Sequence, residues 1–229
     1  MISLLVSDAV ALVRKNLDEL EPNGSVMYDD ENQDNLSLTD IIKRNIPESI
    51  NSVHLAAPVQ LLEGKSVEDE DLISVSVTTD GILSFVLAAD THFLRLVAFE
   101  AADSPIVVTD VLGEATPEGH KQLNPYIRGR ADRPRLVLSQ GRHTGPLFKY
   151  YSLDTTSDGF TAIQDDPSSA IDKLSFVQEQ FYDGEATEYS ISRRLRQNII
   201  DCVTAMVLET YSDQRAQSFY QKAVTFTTL

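Results

Sequence analysis

Residues 190–225 read SISRRLRQNIIDCVTAMVLETYSDQRAQSFYQKAVT, and this stretch has the most regular hydrophobic spacing in the chain. Its apolar residues recur three or four positions apart, the spacing that places side chains on one face of an α-helix. The first stripe comprises Ile191, Leu195, Ile199, Cys202, Val203 and Met206, and the second comprises Ala216, Phe219, Tyr220 and Ala223. The stretch therefore predicts two helices in series, joined at Tyr211-Ser212-Asp213, with Ser212 as the cap of the second helix.

Helical spacing also occurs near the start of the chain. Apolar spacing predicts a helix from Ser3 to Leu20, ended by Pro22-Asn23-Gly24. Ser37-Leu38-Thr39-Asp40 resembles a capping box and predicts the start of a second helix. Because proline lacks a backbone N–H, Pro47 is expected to stop or kink that helix, leaving Glu48 to Ala56 as a separate short helix.

Between these helical ends, the period changes to the alternation typical of β-strands. The predicted strands are Leu72–Thr78, Ile82–Leu87, Phe93–Phe99, Ile106–Val108, Arg135–Leu138, Leu147–Tyr151 and Ile171–Tyr182. Their spacing is compatible with an antiparallel sheet, a sandwich or a barrel-like insert. We therefore predict an α+β fold, in which residues 1–57 and 184–229 form a helical core interrupted by a central antiparallel β-rich insertion, residues 58–183.

Composition excludes several classes of protein. The 229-residue chain has a formal net charge of −16, which argues against a general binder of nucleic acid or of anionic membranes. No run approaches the ~20 apolar residues that span a bilayer, and the first residues lack the pattern of a signal peptide. The single cysteine, Cys202, excludes an internal disulfide, and its place in the apolar stripe predicts a buried structural thiol. We expect cytoplasmic synthesis and no membrane partner.

The sequence contains no pattern that indicates catalysis. The four histidines lie outside metal-binding spacings, and Asp90-Thr91-His92 is better explained as a turn that enters a strand. Phosphate-binding glycine motifs are missing, and Ser139-Gln140-Gly141 does not form a nucleophile elbow. We therefore expect a non-enzymatic protein with no catalytic, cofactor-binding or metal-binding residues.

Charge is distributed unevenly along the chain. Residues 120–150 contain seven cationic residues and one acidic residue, Asp132, whereas acids concentrate in residues 18–34 and 63–71. The seven cations are Lys121, Arg128, Arg130, Arg133, Arg135, Arg142 and Lys149. This polarity indicates either charge-matched contacts between copies or with a partner, or solvated loops. Tyr126 beside these arginines would also suit a nucleic-acid clamp, but the net charge of the chain opposes that interpretation.

A second group of arginines, Arg193, Arg194 and Arg196, opens the predicted C-terminal helix. Cations at a helix N-terminus oppose the macrodipole, so a compensating anion is expected. Local pairing with Glu185 and Glu188 is favoured, and intersubunit ion pairs are the alternative. Together with Arg128, Arg130, Arg133 and Arg135, these three are the candidate intersubunit contacts.

Several segments carry a resemblance to a known family. They are Ile41-Ile42 and the following residues to Pro58, Phe93-Leu94-Arg95-Leu96-Val97, Tyr126-Ile127-Arg128-Gly129 with Arg133-Pro134, Leu147–Ser152, and Ala205–Ala223 with its Tyr211-x-Asp213-x-x-Ala216 pattern. With this order of elements, the chain resembles head–tail connector (adaptor) ring proteins of tailed bacteriophages. It is most similar to the ring proteins in the neck of crAss-like phages.

The resemblance implies a virion structural protein that forms a closed oligomeric ring, of about twelve copies, in the neck between capsid and tail. Such a ring extends the DNA channel, through which DNA passes without specific binding. It contacts the portal protein and docks other neck or tail ring proteins. The family implies no catalytic residues or cofactors. The alternative is a phage tail or soluble binding module whose β-sandwich insert contacts protein or carbohydrate.

Overall fold

The computed structural model describes residues 1–18, 38–67, 71–78, 82–102, 104, 106–130, 132–139, 145–152 and 170–226. The chain divides into two compact units. The helical unit contains Met1–Glu63 and Glu179–Leu229, and the β-rich unit contains Gly64–Gln178. This arrangement confirms the α+β class, with helices from both ends of the chain and a β-rich segment inserted between them in sequence. The boundaries predicted from sequence lay after residues 57 and 183.

The described elements are as follows. The strands are β1 (Ile2–Leu5), β2 (Lys65–Ser66), β3 (Leu72–Val77), β4 (Ile82–Leu87), β5 (Phe93–Ala101), β6 (Val111–Gly113), β7 (Arg135–Ser139), β8 (Leu147–Tyr151), β9 (Ile171–Gln178) and β10 (Glu188–Ile191). The α-helices are α1 (Val6–Asp18), α2 (Leu38–Ala56), α3 (Pro117–Lys121), α4 (Arg196–Thr210) and α5 (Ala216–Ala223). None of the helices in the described ranges is long and apolar enough to cross a membrane.

Helix α4 forms the centre of the helical unit. It contacts α1, α2 and α5, and nearly all of its side chains from Ile199 to Leu208 are buried. Because neighbours surround it, α4 is buried on all sides between Ile199 and Leu208, whereas the sequence predicted a single apolar stripe. Its polar side chains are hydrogen-bonded within this core: Thr204 Oγ1 donates to the Ile200 carbonyl at 2.8 Å and accepts from Asn16 Nδ2 at 3.1 Å. Cys202 is buried there, as predicted, and burial raises the pKa of its thiol.

The first residues form a strand where a helix was predicted. Strand β1 pairs antiparallel with β10, with Ser3 opposite Ser190, and α1 begins only at Val6. Ser3 Oγ donates to Glu188 Oε2 at 2.5 Å. The predicted helix starts at Ser3 and at Ser190 were therefore wrong, because each segment finds its backbone partner in the other, far away in sequence.

Pro47 neither ends nor divides α2, which is continuous from Leu38 to Ala56. An internal proline costs a helix about 3 kcal/mol. Ile41, Ile42 and Ile46 before the proline and Ile50 and Val53 after it are all buried on the same side of this helix. Burial of an aliphatic side chain stabilises by about 1.5–3 kcal/mol, so apolar packing on both sides of Pro47 outweighs its cost. The proposed capping box begins at Ser37, which lies outside the described residues.

The junction between α4 and α5 is a Schellman motif. Asp213 N donates to the Leu208 carbonyl at 2.9 Å, and Ser212 N donates to the Glu209 carbonyl at 2.8 Å. Ser212 lies in the left-handed region with φ of 57°. It therefore ends α4, and the prediction that it caps the next helix was wrong. The N-cap residue of α5 is Arg215, which makes no side-chain capping hydrogen bond, and in the turn before it Asp213 Oδ1 accepts from Arg215 N at 2.9 Å.

The β-rich unit contains a five-stranded sheet in the order β3-β4-β8-β7-β6 and a three-stranded sheet in the order β2-β9-β5. All pairings are antiparallel except that of β6 with β7, which is parallel. Seven strands were predicted here, and Ile106–Val108 is the one that does not form. Val108 instead makes a single bridge to Phe99, with two hydrogen bonds of 2.8 Å.

Aromatic side chains from both sheets share one core in this unit. Phe85 on β4 stacks on Phe99 of β5, with ring centroids 5.4 Å apart, and on Phe148 of β8 at 5.0 Å. All three rings are fully buried. This contact between sheets indicates a sandwich among the three arrangements that the sequence left open.

Candidate functional site

A cleft of about 640 Å³ on the β-rich unit collects most of the arginines predicted as contacts. It contains five cationic side chains and only two acidic ones, Glu118 and Asp132. The cations are Lys121, Arg128, Arg130, Arg133 and Arg135. We call this cleft, defined by these seven residues together with Gln122, Tyr126, Ile127 and Gly129, the basic concavity. It places together all four arginines that were proposed from residues 128–135.

The concavity is built on α3 and the turns that follow it. Thr116 Oγ1 accepts from Gly119 N at 3.1 Å and begins the helix. The side chain of Gln122 is buried, and its Oε1 accepts from Gly129 N at 2.8 Å while its Nε2 donates to the Glu118 carbonyl at 3.1 Å. Gln122 thus ties the helix to the loop that carries the arginines. This role of Gln122 was not predicted from the sequence, since a single glutamine has no distinctive pattern.

Gly129 lets the arginine loop lie close against the sheet. A Cβ atom at this position would approach the Tyr151 carbonyl oxygen to 2.4 Å and the Arg135 nitrogen to 2.9 Å. Both contacts are shorter than real Cβ atoms tolerate, and both partners are backbone atoms. The loop therefore keeps its position only with glycine at residue 129.

Arg130 and Arg133 form a two-residue antiparallel bridge beyond Gly129. Arg130 N donates to the Arg133 carbonyl at 3.2 Å, and Arg133 N donates to the Arg130 carbonyl at 2.9 Å. Like charges directly opposite in such a pair are destabilising. Both side chains are exposed, so their repulsion is screened by solvent and can be relieved by an anionic partner.

Most cations of the concavity have no counter-ion among the residues that the structure describes. Within the described part of the chain, Lys121, Arg130, Arg133 and Arg135 make no ion pair and no side-chain hydrogen bond. Lys149 differs, because its Nζ lies 3.1 Å from Glu114 Oε1. A hydrogen bond from Ser139 and the Lys149 ammonium hold the pKa of Glu114 below its usual value. Arg142, the remaining cation of the basic segment, lies outside the described residues.

An apolar rim accompanies the positive charge. The side chain of Tyr126 is 85% exposed and that of Ile127 is 56% exposed, and both line the concavity. Exposed aromatic and arginine side chains together are typical of protein interfaces. Asn124 shapes this turn, since its Oδ1 accepts from Tyr126 N at 3.0 Å.

The three arginines before and in α4 lie in the helical unit and are not brought together in one site. Arg196 Nη2 lies 3.8 Å from Asp8 Oδ2 of α1, with both side chains about half exposed. The Arg193 backbone hydrogen-bonds the Glu63 carboxylate. Among the described residues none of the three pairs with Glu185 or Glu188, so that prediction was wrong; Arg196 pairs instead with Asp8 of α1, which only the fold brings near.

Arg194 lines a second cleft, of about 630 Å³, within the helical unit. Lys222, Asn198 and the buried Asp201 also line it. Gln197 Nε2 donates to Asp201 Oδ1 at 3.0 Å, and burial raises the pKa of this carboxyl group. Asn198 Nδ2 donates to the Ala223 carbonyl at 2.9 Å and to the Thr225 carbonyl at 3.1 Å, so it caps the end of α5. This second cleft has both positive and negative side chains, and several of its polar groups are already hydrogen-bonded within the chain. It therefore indicates the charge of a partner less clearly than the basic concavity does.

No protein-family model matches the chain, and no curated protein matches it.

Proposed function

We propose that this chain is a non-enzymatic virion structural protein that forms a closed ring in the neck of a tailed bacteriophage, between portal and tail. The sequence resemblance to connector ring proteins supports this proposal, as does the combination of a helical unit with an inserted β-rich unit. The observation that carries it is the basic concavity, four of whose cations have no counter-ion among the described residues, on an otherwise acidic chain.

Ring assembly needs two different surfaces on each subunit. In a cyclic head-to-tail ring, one patch of each copy contacts a different patch of the next, so the two patches must be complementary. The basic concavity provides the cationic patch, and the acidic segments of the same chain provide anions for the other. Complementary charge fixes the register of such contacts and disfavours wrong ones.

The net charge of −16 also suits a conduit for DNA. A phosphate backbone is repelled by an acidic surface, so DNA can pass through a ring whose lumen carries these acids without binding to it. The ring would contact the portal protein on one side and other neck or tail ring proteins on the other. Its location would be the neck of the virion, after synthesis in the host cytoplasm.

Electron microscopy and mass photometry of the purified protein, alone and mixed with the portal protein of the same phage, test this proposal. We expect closed rings with a central channel, of about twelve copies, in at least one of the two preparations. Only monomers or trimers in both preparations would contradict the proposal and favour the binding-module alternative.

Charge reversal tests whether the basic concavity takes part in assembly. The double variant Arg130→Glu with Arg133→Glu should lose rings under conditions where the wild-type protein forms them. The matched control reverses Lys43 and Arg44, two neighbouring cations of α2 outside the concavity, and should keep them. Equal ring yield in all three proteins would show that assembly does not use the concavity.

A further inference from the structure

We infer that the basic concavity binds the acidic stretch, residues 18–34, of a second copy of this chain, and that the run Val26-Met27-Tyr28-Asp29-Asp30-Glu31 occupies it. The inference rests on the proposed assembly of copies and adds the identity of the bound segment. It names a specific contact between one copy's concavity and a defined segment of the next.

The charge of the two partners is complementary. The acidic stretch carries seven carboxylates and neither lysine nor arginine, which no other segment of this length matches in the chain. The concavity offers Lys121, Arg130, Arg133 and Arg135, which the described part of the chain leaves without counter-ions. Arginine binds carboxylates through two parallel hydrogen bonds, so the bridged pair Arg130 and Arg133 suits consecutive acids such as Asp29 and Asp30.

The apolar groups are complementary as well. Three apolar or aromatic residues, Val26 to Tyr28, come directly before Asp29 in the acidic stretch. In the concavity, the exposed Tyr126 and Ile127 lie along the same cleft as the arginines. The apolar run can therefore contact Tyr126 and Ile127 while the acids that follow it contact the neighbouring arginines. This order favours a peptide over a nucleic-acid strand, which would offer phosphates and bases but no aliphatic side chains.

A peptide-binding experiment tests the inference directly. The probe is a fluorescein-labelled peptide of residues 23–34, titrated with the full chain in fluorescence anisotropy. The host protein carries Asp29→Asn, Asp30→Asn and Glu31→Gln, which weakens competition from its own acidic stretch. We expect saturable binding that weakens as salt concentration rises, since the contact depends on charge.

Two altered peptides separate the two kinds of complementarity. A peptide with the same three neutral substitutions should bind about tenfold more weakly or worse, because charge-assisted hydrogen bonds are lost. A peptide with alanine at residues 26–28 should also bind several-fold more weakly, because apolar contact is lost. Equal affinity of either altered peptide and the native one would overturn the inference.

Host variants locate the binding site. Adding Arg130→Gln and Arg133→Gln should weaken binding about tenfold or more, whereas adding Lys43→Gln and Arg44→Gln, which removes the same charge, should leave it unchanged. Failure of the host to bind the native peptide, or equal binding by these two variants, would overturn the inference. A thymidine oligonucleotide that binds more tightly than the peptide, and depends on Arg130 and Arg133, would instead assign the concavity to nucleic acid.

The outcome is separable from that of the proposed function. If rings form but the peptide does not bind, the proposed ring stands and only the inference about the bound segment is wrong. If the peptide binds but no rings form with the portal, the proposed location in the neck is wrong. The concavity then remains a site through which copies of this chain associate.

Discussion

Arg130 and Arg133 lie directly opposite each other in an antiparallel bridge, each donating its backbone N–H to the other's carbonyl. Two arginines are thereby held on one short turn, which Gly129 and Gln122 keep against the sheet. A free subunit gains nothing from this repulsion. The paired arginines therefore do not stabilise the isolated subunit, and their placement indicates a contact with an anionic partner.

Removing one of the two charges should stabilise the isolated subunit slightly. We expect Arg133→Gln to raise the free energy of unfolding by about 0.3 kcal/mol at low salt, because a like-charge pair opposite each other is relieved. The gain should disappear near 1 M salt, where screening removes the repulsion. Urea unfolding at both salt concentrations measures it. Arg44→Gln is the control and should show little change, and a destabilised Arg133→Gln would contradict the argument.

Gly129→Ala should destabilise the β-rich unit by about 2–3 kcal/mol, because the added methyl group meets two backbone atoms that cannot move aside easily. The matched control is Gly113→Ala, where the new Cβ would lie 3.3 Å from the Thr116 side chain. That variant should cost less than about 1 kcal/mol. Thermal unfolding of both proteins compares them, and similar melting temperatures would show that the close approach at residue 129 is unimportant.

Ser212→Gly should stabilise the helical unit by about 0.5–1 kcal/mol. Ser212 has positive φ, which glycine adopts without the steric cost that a Cβ atom brings. Ser218→Gly, inside α5, is the control and should have the opposite sign, with a loss of about 0.5 kcal/mol. Chemical denaturation monitored by circular dichroism gives both values. A loss of stability in Ser212→Gly would show that its hydroxyl group matters more than its backbone angle.

Glu114 should make stability depend on pH. Its pKa lies below the usual 4.5, first because of the hydrogen bond from Ser139 and then because of Lys149. A depressed carboxyl pKa stabilises the folded state above the unfolded-state value, and this contribution is lost as the pH falls through the lowered folded-state value.

Glu114→Gln should therefore cost up to about 1 kcal/mol at pH 7, since the pair is partly exposed, and progressively less below pH ~4.5. Unfolding free energies from pH 7 down to pH 3 provide the measurement. Glu118→Gln removes an exposed carboxylate that has no ion pair among the described residues, so its effect should be small and nearly independent of pH. A difference for Glu114→Gln that grows in acid would contradict the assignment.

Local patterns predicted the elements whose own residues show a clear strand or helix period, even where the partner is distant in sequence. Ile82–Leu87 and Leu147–Tyr151 form the strands that their alternation indicated, and two helices follow residue 195 as the spacing suggested. The sequence also placed Arg128 to Arg135 together as a candidate surface, since a run of cations in one loop is visible without a structure.

The features that could not be predicted from the sequence depend on contacts between distant residues. Strand β1 forms by pairing with β10, and Arg196 forms its ion pair with Asp8. Helix α2 continues through Pro47 because its apolar side chains are buried both before and after the proline. Lys149 looked like part of the basic surface until the fold placed it beside Glu114. Gln122 could not be recognised in advance, because its role depends on Gly129 being within hydrogen-bond distance.

The split of the helical unit across both ends of the sequence has a consequence for how the protein is made. Helices α1 and α2 leave the ribosome well before α4, the element on which both of them pack, has been translated. Their apolar faces lack this packing partner until the whole β-rich segment, one continuous stretch of the chain, has been synthesised. Long waits of this kind favour slow folding and transient exposure of apolar surface. Formation of the helical core is therefore coupled to synthesis of α4, which comes after the whole β-rich segment.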